Sequence, residues 1–184
     1  MILSEHGYEE SMLGLSLSYN TSVERAKEVS KKLAHRQGGH NKFLESIIVW
    51  MDMTFPRKFW QQFDTYRIAT KQSESTMHTI LKENLQQKNF VRELPQEYLD
   101  ALNELISLGE WEALKDYLPE GFLQRRIVCV SYKTLQNIVN QRQSHKLKEW
   151  QDFINGLICE IEHPYYIKEM NNENNLLCSF KNQQ

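Results

Sequence analysis

The run "FLESIIVWMDM", Phe43 to Met53, constrains this chain more than any other stretch. Ile47, Ile48, Val49 and Trp50 are strong strand formers. The run is apolar on both faces, so as a strand it needs cover on both sides. The chain has 184 residues, 40% hydrophobic and 11% aromatic, which is material enough for that cover. Its length fits one domain of about 100–200 residues.

The flanking patterns supply helices. Residues 1–20 read as extended chain, because "MLGLSLSYN" alternates apolar and small residues. Thr21 or Ser22 caps a helix that has Glu24 in its first turn and runs to about Arg36, where Gly38-Gly39 stops it. Pro56 suits the first turn of a helix through "RKFWQQFDTY". A further helix is expected from about Thr76 to Gln86. "ELPQEYLDALNELISLG" places Tyr98, Leu102, Leu105 and Ile106 on one helical face, with Gly109 past its end. "EWEALKDYLP" is a shorter helix closed by Pro119, and "RRIVCVS" a strand. From Tyr132 to about Glu160 the pattern is helical. Strands and long helices in this order predict an α+β domain over residues 1–170, followed by a polar C-terminal tail over 171–184.

Several function classes are excluded. A net charge of −2 lacks the basic footprint of a nucleic-acid binder. No apolar run reaches the roughly 18 residues of a membrane span, and "MILSEHGYEES" has no signal-like apolar core. A cytoplasmic protein is expected, without membrane or nucleic-acid partners. Cys129, Cys159 and Cys178 form no CxxC pair, and His35 and His40 have no third ligand nearby, so no metal site is expected. No Gly-rich loop follows a strand, so phosphate has to be held by side chains and helix ends.

The polar stretch "FDTYRIATKQSESTMHTI", Phe63 to Ile80, is too hydrophilic for a dry core. Arg67 follows an aromatic helix; an arginine there binds an anion, stacks on a planar ligand or snorkels to solvent. Asn137, Asn140, Arg142 and His145 fall within one helical pattern, with Arg142 and His145 expected on one face a turn apart. The same side chains would also suit a solvated face.

Three segments in register resemble the flavin-dependent thymidylate synthases over roughly residues 40–155. "HNKFLE", His40 to Glu45, is similar to that family's His-x-x-x-x-Glu. After a helix whose Gln62 takes the family's glutamine place, "TYRIATKQSESTMH" aligns without a gap over fourteen residues with Arg-His-Arg-x-x-Ser-x-Asn-x-x-Ser-x-Arg-Tyr. "GEWEALKDYLP", then a strand and "KTLQNIVNQRQSH", resembles the family's Leu-Pro box and the helix after it.

The resemblance implies a twisted, mostly antiparallel sheet flanked by helices and a homotetramer with sites between subunits. It implies FAD as cofactor, NADPH and methylene-tetrahydrofolate as co-substrates, and methyl transfer to C5 of dUMP or a related pyrimidine nucleotide. Arg142 looks like the catalytic, pyrimidine-activating arginine. His40, Tyr66, Arg67, Ile68, Asn137 and His145 fall at flavin-contacting places, although His145 aligns only after a one-residue deletion. Gln62, Gln72, Ser75 and Lys115 fall on the nucleotide side, and Glu45 matches a structural or site-lining acid.

There are departures. Thr65 and Tyr66 stand where the family has Arg and His, Met77 and His78 replace its Arg-Tyr, and Lys115, Ser131 and Lys133 replace Arg, Asn and Arg. Each lost charge-assisted phosphate contact costs about 1.5–3 kcal/mol. Two readings follow, a divergent enzyme or a catalytically inactive homologue that serves as a nucleotide-binding or protein-interaction module. The retained Arg142, Asn137, His40 and Arg67 favour the enzyme.

Overall fold

The computed structural model describes residues 1–36 and 38–169. In chain order the elements are β1 (Ile2–His6), α1 (Tyr8–Tyr19), α2 (Val23–Leu33), β2 (Ile48–Pro56), α3 (Arg57–Phe63), β3 (Ala69–Ser73), α4 (Thr76–Thr79), α5 (Gln96–Leu108), α6 (Trp111–Tyr117), β4 (Leu123–Ser131), α7 (Tyr132–Arg142) and α8 (Lys148–Glu160). The four strands form one sheet in the order β1-β2-β4-β3. β1 pairs antiparallel to β2, with Glu5 opposite Val49 and His6 opposite Ile48. The expected α+β class is the one found. The expected polar tail over 171–184 lies outside the described residues.

The chain divides into two compact units. The first holds Met1–Asp52, Tyr66–Lys71 and the chain from Val128 onward; the second holds Met53–Thr65 and Gln72–Ile127.

In the first unit, α1 packs on α2, and α7 packs on both α8 and the 3-10 turn Lys42–Glu45. The core gathers Met12, Leu44, Ile47, Val49, Met51, Leu135, Ile138, Trp150 and Phe153, all essentially inaccessible to solvent. Ser22 caps α2, its hydroxyl accepting from the Arg25 N–H at 3.2 Å. Ser131 does the same for α7 through the Thr134 N–H, also at 3.2 Å.

Three expectations change here. "MLGLSLSYN" belongs to helix α1, whose buried face is Ser11, Met12, Leu15 and Ser16. The serine hydroxyls are absorbed locally: Ser11 donates to the Phe43 carbonyl and Ser16 to the Leu13 carbonyl, both at 2.7 Å. The central strand starts at Ile48, and the residues before it turn as a 3-10 helix. Val49, Met51 and Met53 are buried while Ile48, Trp50 and Asp52 are half-buried, so one face is dry and the other partly wet. The long helix after Tyr132 is two helices, broken over 143–147. Gln151 Nε2 donates to the carbonyls of Arg142, Gln143 and His145 at 3.4, 3.0 and 3.3 Å, satisfying the groups that the break exposes.

In the second unit, α5 packs on α6. A core of Ile80, Leu85, Phe90, Leu99, Leu102, Ile106, Leu114, Leu118 and Phe122 lies beneath them. Leu99, not Tyr98, is the buried residue on the first turn of α5. Gly109 ends that helix in the left-handed region, at φ 74°. The helix expected over Thr76–Gln86 is a single turn. The Asn103 side chain accepts from Leu85 N–H at 2.8 Å and donates to Leu85 O at 3.1 Å, drawing that peptide out of any helical ladder.

The turn between β1 and α1 in the first unit depends on Gly7. Its φ is 88°, and a Cβ there would lie 2.2 Å from the Ser46 carbonyl oxygen. Gly7→Ala therefore combines left-handed strain of about 1–2 kcal/mol with a backbone clash. We expect a loss of at least ~2 kcal/mol by denaturant titration. Gly14→Ala, with nothing near the added methyl, raises stability by about 0.8–1 kcal/mol through helix propensity.

Burial also sets a pH dependence in this unit. Tyr132 donates its hydroxyl to Glu5 and accepts from the His163 N–H at 3.3 Å. Burial, with Glu5 beside it, pushes the Tyr132 phenol far up, so it stays protonated. The His163 ring, tilted by 33° against the Tyr8 ring with centroids 3.9 Å apart, has its pKa lowered mainly by burial, against opposing carboxylates led by Glu162. A lowered folded pKa means that stability is present above the unfolded value near 6.5 and is lost as pH falls below it. Thermal melts from pH 7 to 5 should show this decline, and His163→Phe should flatten it.

Candidate functional site

Helix α7 begins directly at the end of β4. It turns Leu135, Ile138 and Val139 into the core and leaves Asn137 and Asn140 exposed. Gln136 is the exception, a polar side chain only 5% exposed. Its Nε2 donates to the carbonyls of Ala34 and Tyr166, each at 2.8 Å. Its Oε1 accepts from Asn41 Nδ2 at 3.2 Å. Asn41, 4% exposed, also donates to Ala34 O at 2.8 Å. On the other side, Asn41 Oδ1 accepts from the Lys133 ammonium at 2.6 Å. A buried amide pair thus fixes a cation that reaches the surface.

Two cavities of the first unit meet at that cation. One, of about 830 Å³, is walled by Lys42, Lys133, Asn137, Asn140, Gln143 and Lys168, with Gly38-Gly39 at its edge. The other, of about 480 Å³, contains Arg67, Ile68, Cys129 and Ser131. They share Glu45, Ile68, Lys133 and Thr134. Ile68 is 79% exposed, an apolar side chain offered to solvent beside cations and amides. Cys129 is half-buried, and burial pushes its thiol pKa up, away from the reactive thiolate. Such a lining suits a ligand with a flat apolar part and anionic groups.

The residues expected from sequence separate into groups. Arg67, Ile68 and Asn137 line these cavities. His40 is exposed and borders a different one, of about 940 Å³, with Gly14, Leu15 and Ser18 of α1. Tyr66, Arg142 and His145 gather around Trp150. The Arg142 guanidinium carbon lies 5.0 Å from the Trp150 ring centre and 5.7 Å from that of Tyr66. The His145 ring packs edge-on to Trp150 at 6.3 Å.

One expectation about this group is corrected. His145 lies in the break beyond α7, its Nδ1 accepting from the Leu147 N–H at 3.1 Å, so it shares no helical face with Arg142. Tyr66 is 7% exposed, with its hydroxyl engaged by neighbouring side chains.

The nucleotide-side residues belong to the second unit. Gln62 is half-buried on α3 and Gln72 exposed on β3. Ser75 is exposed at the start of α4, its carbonyl accepting from the N–H groups of His78 and Thr79 at 3.0 Å. The Lys115 ammonium lies 6.0 Å from the centre of the Trp111 ring. Sequence reasoning passed over Lys133, Asn41 and Gln136 as site-forming residues. The available signal was Gln136 itself, an amide between Leu135 and Ile138 on an otherwise apolar helical face. Among the described residues no group of three His, Cys, Asp or Glu side chains could hold a metal, and no helix is long and apolar enough to cross a membrane.

Comparison with known proteins agrees with this architecture. A crystal structure of flavin-dependent thymidylate synthase ThyX from Helicobacter pylori, complexed with FAD and dUMP, superposes with a TM-score of 0.77 at 21% identity. The match covers 92% of this chain and 97% of that one. A second ThyX structure from Helicobacter pylori with FAD and dUMP gives 0.79 at 20% identity, with the same coverage. At these identities the likeness speaks for the fold. No curated protein matches the chain. The family described as "Thymidylate synthase complementing protein" matches residues 5–163. With that match spanning most of its length, the chain belongs to the thymidylate synthase complementing protein family.

Proposed function

We propose that this protein is a flavin-dependent thymidylate synthase that methylates dUMP, or a closely related pyrimidine nucleotide, at C5. The observation that carries this reading is the family match over residues 5–163. The donor set of the first unit supports it. Lys42, Lys133 and Arg67 offer positive charge to a pyrophosphate, Asn137 and Asn140 offer amides, and exposed Ile68 offers an apolar surface to a flat ring. These residues fit FAD, and Lys133 joins those that would hold it. When bound, the reduced flavin supplies the hydride that turns the transferred methylene into methyl, with NADPH and methylene-tetrahydrofolate as co-substrates.

The chain's own contribution is electrostatic. The Arg142 guanidinium is a planar cation with several N–H donors. Set against the pyrimidine, it stabilises negative charge drawn onto the ring oxygens, which makes C5 nucleophilic before C5 bonds to the one-carbon unit. Gln62, Gln72, Ser75 and Lys115 supply hydrogen bonds and charge to the nucleotide. Burial pushes the Cys129 thiol pKa up, which disfavours the thiolate a nucleophile requires. We further propose a homotetramer with sites completed between subunits. The exposed Leu13, Leu17 and Tyr19 of α1, at 53%, 76% and 50%, support an apolar contact surface.

The test is tritium release from dUMP labelled at C5, with FAD, NADPH and methylene-tetrahydrofolate. We expect release by the wild type and a loss of roughly 10²–10³-fold in Arg142→Ala with flavin absorbance retained. A flavin-loaded wild type that releases no tritium would overturn the reading. Cys129→Ala should keep the wild-type rate within about threefold, since a protonated thiol is a poor nucleophile. Abolished release in that variant would require a covalent mechanism instead.

A further inference from the structure

We propose that Tyr66 is the positioning residue for Arg142, holding its guanidinium through the phenol hydroxyl instead of touching flavin. The inference rests on the reading that Arg142 acts on the pyrimidine. The geometry is a directed chain. Arg142 Nε–H donates to Tyr66 Oη at 2.9 Å. Tyr66 Oη–H donates to Gln141 Oε1 at 3.0 Å. Gln141 Nε2 donates to Asn137 Oδ1 at 3.0 Å. Each group along this chain is used in the sense its chemistry allows, and each bond polarises the next. The chain ends on Asn137, which lines the larger cavity.

Both ends of the contact are anchored. The Tyr66 carbonyl accepts from the Lys71 ammonium at 3.1 Å, and its ring sits edge-on to Trp150 at 6.2 Å. Arg142 is the last residue of α7, where Gln151 ties down the terminal carbonyls. A long side chain at a helix terminus has several torsions to fix. The Trp150 ring lies 5.0 Å from the guanidinium carbon, but a ring face does not aim the group by a directed hydrogen bond. The Tyr66 hydroxyl does, by taking Nε.

The experiment is Tyr66→Phe, which keeps the ring and removes the hydroxyl. We expect FAD affinity within about twofold of wild type. We expect kcat for tritium release to fall roughly 10- to 100-fold, the range for a hydrogen bond to a charged group, with KM for dUMP changed by less than about threefold. Adding Tyr66→Phe to Arg142→Lys should cost nothing more, because Tyr66 acts only through Arg142. In the ¹⁵N-labelled protein, the Arg142 Nε–H resonance, assigned by its loss in Arg142→Lys, should exchange faster with solvent in Tyr66→Phe.

Unchanged kcat in Tyr66→Phe would overturn the proposal. So would an additive loss in the double variant, or weakened FAD binding with an unaltered Nε–H. If the wild type releases no tritium, the assignment of Arg142 falls by itself. The exchange measurement then decides alone whether Tyr66 holds the guanidinium: faster exchange upholds that hold, and unchanged exchange rejects it.

Discussion

Two amides buried away from water, Asn41 and Gln136, set the conditions for the first unit. An unpaired amide group in such a place costs about 1–3 kcal/mol, so the surrounding chain has to bring partners to it. It does so from several directions: the Ala34 carbonyl at the end of α2, the Tyr166 carbonyl after α8, and the Lys133 ammonium on the first turn of α7. Satisfying these groups fixes α7 against the segment 38–45, where His40, Lys42 and Glu45 reside. The cavity walls that carry Asn137, Asn140 and Lys133 are a consequence of where α7 is held.

The other end of α7 follows a similar logic with a different material. Helix dipole and exposed carbonyls make its C-terminus electronegative, which favours a cation such as Arg142 there. Gln151 closes the broken turn, and Trp150, fully buried, provides the ring on which the guanidinium rests. Polar groups held by dry packing at both ends of one helix give a rigid site, which electrostatic catalysis requires.

Much of this was legible in the sequence where the signal is local. The Ser22 cap, the Gly109 stop and the strand ending at Ser131 follow from residues close to one another in the chain. The misread parts depend on distant partners. Helix α1 hides its period because Ser11 and Ser16 occupy core positions, their hydroxyls taken by carbonyls. The turn Thr76–Thr79 goes no further because Asn103, far along the chain, captures Leu85. The break after Arg142 has no glycine or proline to announce it and is stabilised by Gln151. Tyr66 sits in a polar motif, yet it faces inward because its hydroxyl accepts from Arg142 and donates to Gln141. The family resemblance drew attention to Asn137, Arg67 and Ile68, which line the cavities, but not to Lys133 as part of their wall, since a lysine there departs from the motif.

Those departures need not empty the site. Lys133 is a cation anchored by a buried amide, and Tyr66 is a hydroxyl that organises an arginine. Both are functional groups placed by the fold. The central claim is that the first unit binds flavin along Lys133, Asn137 and Ile68 and presents Arg142 to the pyrimidine. A crystal structure of the protein soaked with FAD and dUMP tests it most directly. The account predicts flavin density against Lys133, Asn137 and Ile68, and the pyrimidine within hydrogen-bond reach of the Arg142 guanidinium. Flavin bound away from these residues, or a pyrimidine remote from Arg142, would contradict it.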